Sequence, residues 1–216
     1  MVEAKGGSGL PFPSPEPATA TIFETMNSTD RLPNDGRGAA VQLMGKRAIS
    51  EAVAEAAARF ASCGSDRPLR VIGLATRGIP LAERLAAKLN EMGVPARPGS
   101  LDPSFYRDDI HVRSEIKMPA EGLPGLQDLD GEGVILVDDV MHTGRSARAA
   151  LTALSDFGRP AFVKFWVLGS RPGREMPIVP DLSGLTLQGR ISGEVRVSLE
   201  ETDGEDVVRL FEEETK

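Results

Sequence analysis

The stretch VILVDDVMHTGRSARAAL, residues 134–151, constrains this chain more than any other. Apolar residues run straight into two adjacent aspartates, a Thr-Gly turn follows, and an alanine-rich segment reads as a helix. A short, continuous apolar run bounded by turn residues suits a strand covered on both faces. A strand followed at once by a helix is the unit of a parallel sheet. The turn Thr143-Gly144-Arg145-Ser146 opens that helix with backbone N–H groups and the positive end of a helix dipole, which suits a phosphate. Gly144 lets the backbone come close, and Thr143 and Ser146 add hydroxyls. The spacing matches neither a Gly-Lys-Ser/Thr nucleotide loop nor G-x-G-x-x-G.

Asp138 and Asp139 would repel a phosphate if they were aimed at it. They suit a ribose diol, whose hydroxyls donate to carboxylates, and a sugar ring that develops oxocarbenium charge. An isolated Asp-Asp pair also fits a metal site or a solvated strand end. The whole string, with its turn and helix, fits a sugar 5-phosphate: diol on the aspartates, phosphate in the turn.

The same strand–turn–helix order recurs along the chain. KRAISEAVAEAAARFAS places Ile49, Val53, Ala56, Ala57 and Phe60 at helical spacing. Residues 69–75 read as a buried strand, Thr76-Arg77-Gly78 as a sharp turn, and IPLAERLAAKLNEMG as a second helix ended by Gly93. Residues 94–133 are rich in Pro, Gly and Asp and read as a long loop. PAFVKFWVL reads as a further strand. VRVSLEETDGEDVVRLFEE reads as a hairpin, with Val195, Val197 and Leu199 alternating and a turn at Asp203-Gly204. The expected class is α/β, a parallel sheet with helices on its faces. In such sheets ligands bind beyond the carboxyl ends of the strands. The turns at 76–78, at 138–146 and after Leu168 should therefore share one rim.

The chain has 216 residues, a net charge of −7 and one cysteine, Cys63. That length suits one domain with a tail. The charge argues against a general polyanion-binding surface, and a single cysteine excludes an internal disulfide or a cysteine-rich zinc site. No apolar run approaches the roughly 18 residues of a membrane span, and the N-terminus lacks signal-peptide order. A cytoplasmic protein with no membrane partner is expected. Residues 1–38 are rich in Pro, Gly and Ser and read as a flexible extension ahead of a domain at 39–216.

VILVDDVMHTGRSARAA resembles the phosphoribosyl-pyrophosphate (PRPP) motif of type I phosphoribosyltransferases. IGLATRGIPLAERLA, SFYRDDI, DFGRP, REMPI and the C-terminal hairpin are together similar to the bifunctional pyrimidine operon attenuator and uracil phosphoribosyltransferase family. The resemblance spans roughly residues 39–211. It implies a type I phosphoribosyltransferase fold with a small hood subdomain that includes the hairpin. It implies PRPP-binding residues Thr76, Arg77, Gly78, Asp138, Asp139, Thr143, Gly144, Arg145 and Ser146. Ala75 to Gly78 become the pyrophosphate loop, and Tyr106-Arg107-Asp108-Asp109 begin a closing loop whose Arg107 meets the pyrophosphate. Catalytic roles fall to Asp138, Asp139, Arg107 and His142. Mg²⁺ arrives bound to PRPP rather than to a protein cage, with Asp138 as a contact through water. The implied reaction turns uracil and PRPP into UMP and pyrophosphate, with attenuation of a pyrimidine mRNA leader as a second role. A regulator that senses nucleotide with weak catalysis, and a transferase for another nucleobase, are the alternatives. A homodimer or larger oligomer is implied.

Two departures stand out. His142 occupies a position where that family usually has tyrosine. After Leu168 the family's Val-Asp-Arg-Gly-His-Arg is replaced by Gly169-Ser170-Arg171-Pro172-Gly173-Arg174. The PRPP half of the motif set is intact, and the nucleobase and RNA half is altered. Gly184 to Arg190 likewise replaces the family's Gly-Lys-x-x-Pro-Thr-Ser. Arg159, Arg171, Arg174 and Arg190 are candidates for a basic RNA patch.

Overall fold

The computed structural model describes residues 31–32, 40–64, 66–103, 128–189 and 191–212. Five parallel strands form the main sheet: β3 (Leu69–Leu74), β4 (Ala96–Leu101), β5 (Gly133–Met141), β6 (Phe162–Ser170) and β7 (Leu182–Thr186). Their spatial order is β4-β3-β5-β6-β7, so β5 lies at the centre, paired with β3 on one side and β6 on the other.

Alternation along β5 divides the interior in two. Ile135 and Val137 join the core under α1 (Lys46–Phe60) and α2 (Gly78–Glu91), while Val134 and Leu136 join the core under α3 (Arg145–Leu154). A strand buried on both faces must be apolar at every position, which is why 134–137 shows no polar alternation. Helix α1 packs through Ile49, Ala52, Val53, Ala56, Ala57 and Phe60, one face at intervals of three and four. Helix α2 stops at Gly93, whose φ of 80° lets the chain reverse.

A second, antiparallel sheet has the order β1-β2-β9-β8, from β1 (Arg31–Leu32), β2 (Ala40–Gly45), β8 (Glu194–Ser198) and β9 (Val207–Phe211). The hairpin expected from the alternating valines is present, with Val195 opposite Leu210 and Val197 opposite Val208. Its connection is a short helix, α4 (Glu200–Asp203), closed by Gly204 with φ 79°. Met44, Val197, Leu199 and Val208 enter the α1/α2 core, which fastens this sheet to the main body.

Four strands escape the sequence reading, among them β1, which lies within the stretch read as a flexible extension. β4 lies inside the stretch read as loop; its Pro98 and Gly99 disguise it. The strand pairs with β3 alone, and proline is tolerated at a sheet edge where ladder bonds are not required on both sides. The Asn90 side chain pins its start, donating to the Ala96 carbonyl (2.8 Å) and accepting from the Ala96 N–H (3.0 Å). β7 is the opposite edge, and Asp181 ties its entry to β6 by accepting from the Phe165 N–H (2.9 Å) and Lys164 Nζ (2.8 Å). β2 is recognisable only through its pairing with β9, 171 positions away at the Ala40–Phe211 pair, so its partner determines it rather than local pattern. Residues 1–30 and the 104–127 segment, with Arg107 and His111, lie outside the described residues. Among the described residues no helix is long and apolar enough to cross a membrane.

The turn leaving β3 is packed against backbone. A Cβ on Gly73 would collide with the Gly78 carbonyl and lie 2.5 Å from Ile79 Cα, and one on Gly78 would lie 2.5 Å from the Val137 carbonyl. Gly73→Ala is therefore expected to cost about 1–3 kcal/mol. A lower denaturant midpoint at unchanged slope would show it, and an unmoved midpoint would mean that the turn can yield.

Candidate active site

Because β3, β5 and β6 are parallel neighbours, their carboxyl ends open on the same rim. The close approach of Gly78 to Val137 and Asp138 fixes the first turn against the second. The Ala75–Thr76 peptide bond in that first turn is cis. Thr76 is exposed, Arg77 half-buried and Gly78 buried as the first residue of α2.

Strand β5 runs through both aspartates and ends at Met141, longer than the apolar run alone suggests. The Asp139 N–H donates to Asp138 Oδ1 (3.0 Å), and the Val140 N–H donates to Asp139 Oδ1 (2.7 Å). Both side chains are thereby held at the strand end. Burial, and next the neighbouring Asp139 carboxylate, push Asp138 well above the ordinary carboxylate value.

His142 to Gly144 form the bend into α3. Gly144 is the N-cap, with φ 87° and no side chain of its own to cap the helix, and the backbone N–H groups of the first turn lie at the rim. The Arg145 N–H lies 3.4 Å from Thr143 Oγ1. The Arg145 side chain turns away to Glu175, with Nε donating to Oε2 at 2.8 Å. At this position the backbone, rather than the guanidinium, faces the turn.

The loop after β6 is stitched to the same bend. Arg171 N–H donates to the Met141 carbonyl (3.0 Å), and the N–H groups of Glu175 and Met176 both donate to the Thr143 carbonyl (3.0 and 2.9 Å). Gly173 lies beneath His142, and a Cβ there would fall 2.5 Å from Nε2. His142 and a side chain at 173 thus compete for one space. Burial, then the Arg171 charge, lower the His142 pKa from its ordinary value, against a smaller upward pull from Glu175. The imidazole is accordingly neutral at pH 7. Arg171 itself reaches inward, donating to the Gly193 carbonyl at 2.9 Å, so it is a brace between loop and hood rather than part of an exposed patch.

One partner was invisible in the sequence. Arg77 makes a bidentate pair with Asp203 of α4, through Nε (3.1 Å) and Nη2 (2.9 Å). The Asp203-Gly204 pattern signalled only a turn, and nothing local links it to a residue 126 positions earlier.

The parallel sheet and this rim, with paired carboxylates beside a helix start, define an α/β protein whose candidate site lies at the carboxyl ends of its strands. The phosphoribosyl transferase domain family matches residues 42–202, and the chain belongs to that family. Among curated relatives, the bifunctional protein PyrR of Deinococcus radiodurans is 47% identical over 153 residues, covering 68% of this chain and 80% of the relative. The bifunctional protein PyrR of Corynebacterium efficiens is 38% identical over 188 residues, covering 84% and 97%. Among solved structures, a hypoxanthine phosphoribosyltransferase from Trypanosoma cruzi superposes with a TM-score of 0.60 at 22% identity, covering 78% of this chain and 94% of the other. That likeness concerns the fold, which is the type I phosphoribosyltransferase fold expected from the sequence.

The raised Asp138 value has a thermodynamic consequence. Protonation is favoured in the folded state, so the ionised carboxylate weighs against the fold once pH rises past the ordinary carboxylate range, and not below it. Asp138→Asn is expected to raise the thermal midpoint at pH 7 by about 2–4 °C, with a smaller gain at pH 4. Calorimetry at both pH values checks this, and equal midpoints at pH 7 would show that the carboxylate is not held at a cost.

Proposed function

We propose that the chain transfers a phosphoribosyl group from PRPP to uracil, giving UMP and pyrophosphate. The observation that carries this reading is the shared rim: the Asp138–Asp139 carboxylates stand beside the uncapped start of α3, with Arg77 across from them. The N–H groups at Thr143 to Ser146 take the 5-phosphate. Asp138 and Asp139 accept hydrogen bonds from the ribose hydroxyls, and their charge favours the oxocarbenium-like ring. Arg77 faces the pyrophosphate. A uracil nitrogen forms a bond to C1 of the ribose while the C1–oxygen bond to pyrophosphate breaks, and the nitrogen gives up its proton. Uracil, rather than another base, follows from the resemblance of the TRG, YRDD and GRP segments to the attenuator and uracil phosphoribosyltransferase family. The curated relatives carry the name bifunctional protein PyrR, which speaks for two roles, and we read the second as attenuation of a pyrimidine mRNA leader.

Mg²⁺ fits this donor set. The Asp138 and Asp139 carboxylates at the end of β5 are hard oxygen donors of the kind it prefers, and phosphate and ribose oxygens of PRPP would hold the ion, with Asp138 reached through water. When bound it supplies positive charge to the departing pyrophosphate.

The contact between His142 and Gly173 favours a second reading, transfer to a different nucleobase. The exchange of bulk between these positions alters the wall that a base would meet.

Pyrophosphate release should be measured with PRPP, Mg²⁺ and, in turn, uracil, hypoxanthine, guanine and orotate. Release with uracil is expected, and Asp139→Asn should reduce it about 100-fold or more. Inertness of all four bases while PRPP still binds would remove the transferase reading. If His142 accepts a proton from the base, activity should persist as pH falls below the ordinary histidine range and fail only at a lower pH, because its value is depressed. A profile unchanged in His142→Gln would assign it no proton-accepting role.

A further inference from the structure

The hood is joined to the rim by a chain of ion pairs that the transfer reaction described above does not by itself require. Lys46, at the start of α1, donates to Glu200 (2.6 Å). Arg84 on α2 holds both Glu201 (2.6 and 2.8 Å) and Asp206 (2.7 and 3.0 Å). These bonds fix α4 over the beginning of α2, where Arg77 ends the turn from β3. Asp203 is then fixed within its own turn, its Oδ2 accepting from the Leu199 N–H (3.0 Å) and from Thr202 Oγ1 (2.7 Å).

Single exposed ion pairs contribute little, because water screens them and long side chains resist ordering. The Arg77–Asp203 contact differs in geometry. It is bidentate along the Nε–Nη2 edge, and its acceptor is already immobilised. That edge is consumed, while the outer edge with Nη1 stays available to an anion. Asp139 acts on the same guanidinium from the rim side. An arginine oriented before its ligand arrives loses less rotamer freedom on binding.

We propose that Asp203 is a positioning residue for the pyrophosphate end of PRPP: it holds the Arg77 guanidinium with its free edge toward the leaving group. The inference rests on the reading of the rim as a PRPP site. Asp203 touches no substrate and acts through Arg77.

Asp203→Asn tests it with little collateral damage. An amide oxygen in place of Oδ2 still accepts from Leu199 and Thr202, whereas an NH₂ in place of Oδ1 meets Arg77 Nη2 donor to donor. Titration calorimetry should compare PRPP with Mg²⁺, pyrophosphate, and ribose 5-phosphate, which lacks the leaving group. Asp203→Asn is expected to weaken PRPP and pyrophosphate about tenfold and to leave ribose 5-phosphate within about twofold. In an Arg77→Ala background it should add no further loss. Asp203→Glu, which keeps the charge but shifts the fork partner by a methylene, should show the same selective loss and serves if the asparagine variant does not fold. Unchanged or tighter PRPP binding, equal loss of ribose 5-phosphate, or an additive loss on Arg77→Ala would each overturn the positioning role. A wild-type chain that binds ribose 5-phosphate and PRPP equally, or neither, overturns the underlying PRPP reading instead.

Discussion

The pairing of β5 on both edges and its burial on both faces is the constraint on which the rest depends. A strand so enclosed cannot slip in register without moving apolar side chains out of two cores at once. Asp138 and Asp139 inherit that rigidity, since they belong to the strand and not to a loop beyond it. The desolvation that raises the Asp138 carboxyl comes from the interior already assembled around β5.

Much of this was legible in the chain because the signals were local. Ile49 to Phe60 and the segment from Leu81 to Leu89 repeat at the helical period, and 134–137 is apolar without alternation, so α1, α2 and β5 follow from residues that are near one another. The start of α3 is likewise written into Thr143 to Ser146. What escaped depends on distant partners. β2 needs β9, β4 needs β3 and Asn90, and Arg77 needs Asp203. Arg145 shows the same limit at the level of a side chain: its place in the motif was readable, but the direction of its guanidinium is decided by Glu175, thirty positions on.

The two sides of the rim differ in how they are held. On the β3 side, backbone packs on backbone at Gly73, Gly78 and Val137, which leaves no room for variation in side chain. On the β6 side, three backbone hydrogen bonds tie loop to bend, and the space beside Gly173 is taken by the His142 ring. The sequence departs from its resembled family on this second side. Substitution there changes what a ligand meets without disturbing the frame, so one scaffold can keep its sugar-phosphate geometry while its other wall is rewritten.

The inward turn of Arg171 bears on any polyanion that approaches the chain. Its Nη1 is taken up by the Gly193 carbonyl and its Nε is buried, so the guanidinium keeps its charge but is directed into the loop–hood junction. Arg84 and Arg145 are similarly engaged by carboxylates. The entropy gained by returning small ions to bulk solvent is the main electrostatic drive for such encounters, and at Arg84 and Arg145 the partner carboxylates already offset the charge that would supply it.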